Sequence, residues 1–338
     1  MAWLKVRRMK ALLSRSPGPA EMLELSEVPE PVPGPGEVLV AVRACAINYP
    51  DALIIEDRYQ VRPERPFSPG AEVAGVVEAL GPRAASLRVG QRVIGMPGFG
   101  GLAQKLVMRA DQCVPIPDMT PAHEAAALLM TFGTALFGLK WRGGLQAGER
   151  LLVLGAAGGV GMAAVEVGKA LGAEVIAAGS SKAKAAAARA SGADRTLVYP
   201  AGPFDAEGRK ALSALIKDAC PDGVDAVFDP IGGDYAEAAL RALRPEGRLL
   251  VVGFTAGIPR LPLNLVLLKQ CQVIGVAWGA VARDQPALFA EVAGEVVALH
   301  KAGRIRPRIA ERLSLDQAPA AIARLAAREA IGKQVVVF

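Results

Sequence analysis

Histidine is nearly missing from these 338 residues: His123 and His300 are the only two. Chemistry built on clustered imidazoles therefore has almost nothing to work with. Cysteine is scarce too. Cys45, Cys113, Cys220 and Cys271 lie far apart, and no CxxC or Cys/His pair has the spacing of a zinc site. Reduced thiols in a cytoplasmic protein are the expectation. No apolar stretch reaches a spanning length without charges, and the start "MAWLKVRRMKALL" has neither a continuous apolar core nor a small-residue cleavage site. Membrane insertion and export are not expected. Concentrated charge is also lacking: the net +6 is spread along the chain, and the longest basic run is "KVRR" plus Lys10. Nucleic acid is thus not an expected partner. What is present is a hydrophobic fraction of 52%, dominated by aliphatic residues, with 37 glycines and 25 prolines. That composition describes a folded α/β protein long enough for two domains.

The first third alternates strand-like runs with turn signals: "GEVLVAVRACAI" after the turn-rich "PEPVPGPG", then "EVAGVVEAL" and "GPRAASLRVGQRVIGM". From Pro121, "PAHEAAALLMTFGTALFGLKWRGGL" is a long helical pattern that the glycines at 133 and 138 can break. Short apolar strands and helices then alternate: "RLLVLG", "VGMAAVEVGKALG", "EVIAAG", "SKAKAAAARASG", "RTLVY", "AEGRKALSALIKDAC", "VDAVFDPIG" and "DYAEAALRALRPEG" into "RLLVVGF", with "CQVIGVAWG" as a further strand. This rhythm predicts βαβ units and a mostly parallel sheet with helices on both faces. The tail returns to a mixed pattern and ends in a strand.

One βα turn carries a chemical signature. The strand "LLVLG" runs into "AAGGVG" and a helix, so Gly158 and Gly161 allow close approach of a pyrophosphate to the helix N-terminus. Ala157, Gly159 and Val160 complete the turn. Ala156 stands where the first glycine of the GxGxxG pattern belongs, which is acceptable if that position needs no positive φ. Such a turn can serve packing alone, but the flanking strand and helix favour a dinucleotide site. An NAD site carries Asp or Glu about 20 residues on. Here that place reads "AAGSSKAK". Ser180 and Ser181 offer hydrogen bonds and Lys184 a positive charge, a set suited to a 2′-phosphate, with Tyr199 as a third partner. Lys182 reads as an ordinary solvated helix start. The expected cofactor is NADPH.

"ACAINYPDALI", "RPFSPGAEVAGVVEALG", "MTFGTALFGL", "VLGAAGGVG", "VDAVFDPIGG", "GRLLVVGF" and the terminal "GKQVVVF" together resemble the medium-chain dehydrogenase/reductase superfamily, in its zinc-free quinone oxidoreductase or zeta-crystallin-like branch. The resemblance covers essentially the whole chain. It implies a GroES-like β-rich catalytic domain from 1–124 and 280–338. Between them would lie a Rossmann domain, a doubly wound parallel sheet, over 125–268 or as far as 279, with substrate in the cleft between the two domains. In zinc-dependent relatives a catalytic zinc ligand stands where this chain has Asn48, and a histidine where it has Ala71. Neither replacement can supply the lost ligand, and the cysteine-rich structural lobe is absent, so no metal is expected.

Without a metal, hydrogen-bond donors must assist an acceptor that takes hydride. The resemblance implies catalytic roles for Tyr59, Asn48, Thr131 and Tyr49, in that order. Tyr59 matches a tyrosine that is a proton donor in enoyl thioester reductases and lines the pocket in quinone reductases, Asn48 places an amide near the nicotinamide or secures a turn, Thr131 approaches the nicotinamide, and Tyr49 stacks or packs. Asp51 and Glu72 read as structural. Gly253, Phe254 and Thr255 would contact the nicotinamide, Lys333 would reach the cofactor or a nearby loop, and Asp229 would either face the cofactor or form an Asx turn. The strand near 271–279 resembles an edge that pairs across a two-fold axis, giving a homodimer. The implied activity is NADPH-dependent reduction of a quinone or conjugated carbonyl. Its alternatives are an enoyl thioester, 2-alkenal or enone reductase, and an NADPH-binding protein with an RNA-binding or structural role.

Overall fold

A computed structural model describes residues 7–338; "MAWLKV", on which the expectation of no export signal partly falls, lies outside the described residues. In chain order the elements are β1 (Arg8–Leu13), β2 (Glu24–Pro29), β3 (Glu37–Ala46), α1 (Tyr49–Ile55), β4 (Glu72–Leu80), β5 (Arg92–Gly95), β6 (Lys105–Arg109) and β7 (Cys113–Pro115). A long helix α2 (Ala122–Arg142) follows. Then come β8 (Arg150–Val153), α3 (Gly159–Ala170), β9 (Glu174–Gly179), α4 (Lys182–Ala190), β10 (Arg195–Val198), α5 (Ala206–Ala219), β11 (Val224–Asp229), α6 (Gly233–Ala242), β12 (Leu243–Val251), α7 (Leu263–Lys269) and β13 (Gln272–Gly275). The chain ends with α8 (Trp278–Asp284), α9 (Pro286–Lys301), β14 (Ile309–Leu313), α10 (Ala318–Ala326) and β15 (Lys333–Val337).

Two compact units result. One takes the chain up to Met130, Gly279–Val297 and Pro307–Phe338; the other takes Thr131–Trp278 and Ala298–Arg306. The first boundary therefore falls after 130 instead of 124, inside α2, and 298–306 side with the second unit. The reason is local: Glu166 of α3 accepts the Arg306 N–H at 2.6 Å, and the Arg304 guanidinium donates to the Ala170 carbonyl at 2.8 Å.

The β-rich unit holds the sheet β14-β15-β3-β4-β5-β7, with β6 also on β3. Strand β3 organises it by being long enough to pair at both ends. Glu37–Ala41 face β6, whereas Ala44–Ala46 face β15 in antiparallel register, Val335 opposite Ala46. The carboxyl-terminal strand is thus delivered beside the Ile47–Asn48 turn, where the Ile47 N–H donates to the Gln334 carbonyl at 2.9 Å.

The second unit has the parallel order β10-β9-β8-β11-β12-β13. Central strands buried on both faces are rich in apolar residues, and "VDAVFD" of β11 is buried along its whole length, with Asp225 and Asp229 hydrogen-bonded to backbone N–H groups. The order reverses between β9-β8 and β11, the switch point where α/β sheets bind ligands at their carboxyl ends. Helix α2 does not break at its glycines. It runs on through two wider π-type stretches, Leu129–Gly133 and Phe137–Arg142. A Cβ at Gly133 would lie 2.6 Å from the Trp278 ring nitrogen, so this glycine serves close packing. By length and hydropathy α2 is apolar enough to cross a membrane, yet its most apolar window is 78% buried inside the fold, the mark of a core helix.

Candidate functional site

The "GAAGGVG" turn shows which position needs glycine for its backbone. Gly155 has φ +58, whereas Ala156 has an ordinary φ and donates its N–H to the Ala178 carbonyl at 3.0 Å. Alanine at 156 is therefore tolerated because the left-handed residue is its neighbour. A Cβ at Gly161 would stand 2.3 Å from the Gly155 carbonyl, so only glycine lets α3 pack this close to the strand. Gly158 is the exposed N-cap of α3, and a Cβ there would meet nothing nearer than 3.4 Å. Ala157 is buried, while Gly159 and Val160 are half-buried. The result is an open helix N-terminus with room for a phosphate.

At the end of β9, Ser181 caps α4, its hydroxyl accepting the Lys184 N–H at 3.2 Å. The Lys184 ammonium donates to the Ser180 hydroxyl at 3.2 Å. Two hydroxyls and one ammonium thus gather on the turn, while Lys182 is exposed. Tyr199 departs from its expected place as a third phosphate partner. Its ring is buried against Tyr235, its hydroxyl accepts the Gly155 N–H at 3.2 Å, and burial pushes that phenol up to about 12. It props the glycine turn.

Asp229, at the end of β11, accepts the N–H groups of Ile231 (2.8 Å) and Gly232 (2.9 Å) with one oxygen. This is an Asx turn. Burial raises its carboxyl to about 6. Gly253 donates its N–H to the Asp229 carbonyl at 3.3 Å, so that N–H points into the fold. The Phe254 ring is exposed and the Thr255 hydroxyl donates to the Pro230 carbonyl at 3.4 Å.

In the β-rich unit, Asn48 precedes α1, whose first turn carries Tyr49 and Asp51. Asp51 accepts the Asn48 N–H at 2.7 Å and the Gly70 N–H at 3.0 Å, and burial lifts its carboxyl to about 6. The Asn48 amide donates to the Ala46 carbonyl (3.1 Å) and to Glu72 Oε1 (2.9 Å). An amide has two N–H donors, and both are used. Asn48 is accordingly no free donor for a substrate, and its turn-securing role prevails. Lys333 also departs from the expected cofactor contact. Its ammonium donates to Asn48 Oδ1 (2.6 Å), Glu72 Oε1 (2.8 Å) and the Ile47 carbonyl (3.3 Å), one acceptor for each N–H. The other Glu72 oxygen accepts the Met130 N–H at 2.8 Å. Thr131, next in the chain, is buried in the first π-type stretch, a helix irregularity common at functional sites. Tyr59 is half-buried, its hydroxyl near Gly279, and burial followed by the Asp51 charge raises its pKa.

Among the described residues no group of three or more His, Cys, Asp and Glu is placed to hold a metal ion. The Lys333–Glu72 pair is the feature that sequence reasoning missed. Glu72 reads as structural in the sequence, and only the β15–β3 pairing brings the lysine to it.

Residues 159–294 match the family described as zinc-binding dehydrogenase, and residues 34–118 the alcohol dehydrogenase GroES-like domain. Quinone oxidoreductase-like protein 2 of Bos taurus is 38% identical over 92% of this chain and 88% of its own length. Quinone oxidoreductase of Pseudomonas aeruginosa is 33% identical over 94% and 96%. A mycobacterial protein solved in complex with NADPH superposes with a TM-score of 0.89 at 28% identity, covering 98% of this chain and all of that one.

Proposed function

Because the chain belongs to the medium-chain dehydrogenase/reductase superfamily, in its quinone-oxidoreductase-like branch, we propose that it is an NADPH-dependent, metal-independent quinone oxidoreductase. The observation that carries this reading is the state of the position where zinc-dependent relatives keep a ligand. Asn48 stands there with both amide N–H groups spent on protein acceptors, and its carbonyl oxygen already takes a hydrogen bond from Lys333. An asparagine in that state supplies no soft or imidazole ligand, so an acceptor that needs no Lewis acid, such as a quinone or conjugated carbonyl, suits this position.

The nucleotide fits the second unit. The open N-terminus of α3 receives the pyrophosphate, with Ala157, Gly158, Gly159, Val160 and Gly161 at the turn. Ser180, Ser181 and Lys184 receive the 2′-phosphate, and no carboxylate stands in that turn to repel it. When bound, NADPH supplies a hydride. Gly253, Phe254, Thr255 and Thr131 are the residues assigned to the nicotinamide side. Tyr49 and Tyr59 of the β-rich unit are assigned to the acceptor, Tyr49 as a stacking surface and Tyr59 as a side chain that lines its pocket.

A second reading is supported by Tyr59, half-buried with its hydroxyl near Gly279 and kept protonated by burial and then by the Asp51 charge. That is the state required of a proton donor to the α-carbon when a conjugated C=C bond is reduced. The four cysteines are free and buried, which suits a cytoplasmic protein with reduced thiols. Strand β13 has exposed residues and stands last in the six-stranded order, which supports a homodimer that extends the sheet. The experiment is an acceptor screen with NADPH over 1,2- and 1,4-quinones, enones, enals and crotonyl thioesters. Turnover concentrated on quinones upholds the first reading, and turnover confined to enoyl acceptors replaces it with the second.

A further inference from the structure

The carboxyl-terminal strand carries a charge into the core. Lys333 is 5% exposed and Glu72 1%, and their charged atoms lie 2.8 Å apart. Desolvating two ions costs more than packing two apolar side chains of similar volume. Joining β15 to β3 does not require it, because ladder hydrogen bonds and the buried Val335 and Val336 already do so. The pair's hydrogen bonds show what it holds instead. Lys333 ties together the Ile47 carbonyl, Asn48 Oδ1 and Glu72, while Glu72 accepts from Lys333, the Asn48 amide and the Met130 N–H. Four segments meet at this node: 47–48, which leads into Tyr49 and α1; 72, in β4; 130, which leads into Thr131; and 333.

We propose that the Lys333–Glu72 ion pair is a positioning element for hydride transfer, fixing the turn before Tyr49 and the backbone before Thr131 in one geometry. Lys333 sets its ammonium against Glu72 in the core, and a carboxylate is the strongest acceptor for the Asn48 amide and the Met130 N–H. Neither residue touches acceptor or cofactor in this role. The inference rests on the acceptor-site reading given above. It differs from the expectation that Lys333 contacts the cofactor, and the two predict different losses.

The test uses the full chain and three variants. Lys333→Met leaves Glu72 as an unpaired buried charge and is expected to melt well below wild type. The neutral double variant, Glu72→Gln with Lys333→Met, removes both charges and keeps an amide oxygen for the donors, so its melting temperature should return close to that of wild type. In that folded double variant, kcat/KM for a 1,4-quinone should stay about tenfold or more below wild type. NADPH affinity, read by fluorescence titration, should remain within about twofold, since one pKa-sized unit of interaction would already move it tenfold. Amide hydrogen exchange should rise in peptides spanning 45–58 and 126–134. Wild-type turnover in the double variant would overturn the proposal and leave the pair a folding element. A loss confined to NADPH affinity would overturn it in favour of a cofactor contact. If neither lysine variant folds, Asn48→Ala, which keeps the ion pair, should show the same acceptor-specific loss, and wild-type turnover there overturns the proposal. If the wild-type chain reduces no acceptor, the function reading fails by itself. The exchange measurement then still decides the pair, because unchanged exchange at 126–134 would refute it.

Discussion

At the scale of single residues, what a side chain can do is set by which of its donors and acceptors are already spent. Asn48 and Lys333 both look like active-site donors in the sequence, and both are fully committed inside the protein. Tyr59 has the opposite character, a half-buried phenol held protonated. Replacing Tyr59 with Phe is expected to lower turnover of an enone or enal by about a hundredfold and to leave 1,4-quinone turnover nearly unchanged. Parallel kinetics with the two acceptors check this, and an equal loss on both would assign Tyr59 to positioning alone. Lys184 is tested by alanine. Losing one charge-assisted contact to a 2′-phosphate should raise KM for NADPH by roughly tenfold or more and leave KM for NADH in place. The Ser180-Ser181-Lys184 set was legible because its parts lie within five consecutive residues and one helix cap brings them together. The role of Lys333 was not, because its partner Asn48 is 285 positions away and only strand pairing joins them.

At the scale of elements, periodicity and glycine placement predicted the βαβ run, and each strand named there exists. They did not reveal what the glycines of α2 are for. A glycine that breaks a helix and one that admits a neighbouring ring look alike in sequence, and at Gly133 the ring is that of Trp278. Nor did they reveal that 298–306 would fasten to α3 through Glu166. Burial raises this carboxyl from 4.5 to about 7, with the Arg306 N–H opposing the shift. A folded-state pKa above the unfolded one means that the native state binds the extra proton. The associated stability is complete below the unfolded pKa and is lost as pH rises through about 7. Glu166→Gln, which cannot ionise and can still accept the Arg306 N–H, should therefore raise the melting temperature near pH 8. The advantage should shrink toward about pH 5, where wild-type Glu166 is protonated. Melting curves across pH measure it, and a shift equal at every pH would rule out ionisation as the cause.

At the scale of the whole molecule, the chain builds a β-rich unit, leaves it at Met130 to form a parallel six-stranded sheet, and returns to close the first sheet with β15. That nesting is what puts β1–β7 and β15 into one unit, and family motifs spread over the chain already imply a second domain set between two parts of the first. The proposed homodimer is tested separately, at the edge strand. Val273 is exposed on β13, and Val273→Lys should shift a dimer toward monomer in sedimentation velocity; a variant that sediments as wild type would place the interface elsewhere. The central claim, metal-independent hydride transfer from NADPH, is tested most directly by steady-state reduction of a 1,4-quinone in the presence of a strong chelator, with NADPH and NADH compared at equal concentration. Turnover should be undiminished under chelation, and kcat/KM for NADPH should stand at least about tenfold above that for NADH, the worth of one charge-assisted phosphate contact. Loss of activity on chelation that zinc restores, or a preference for NADH, would contradict it.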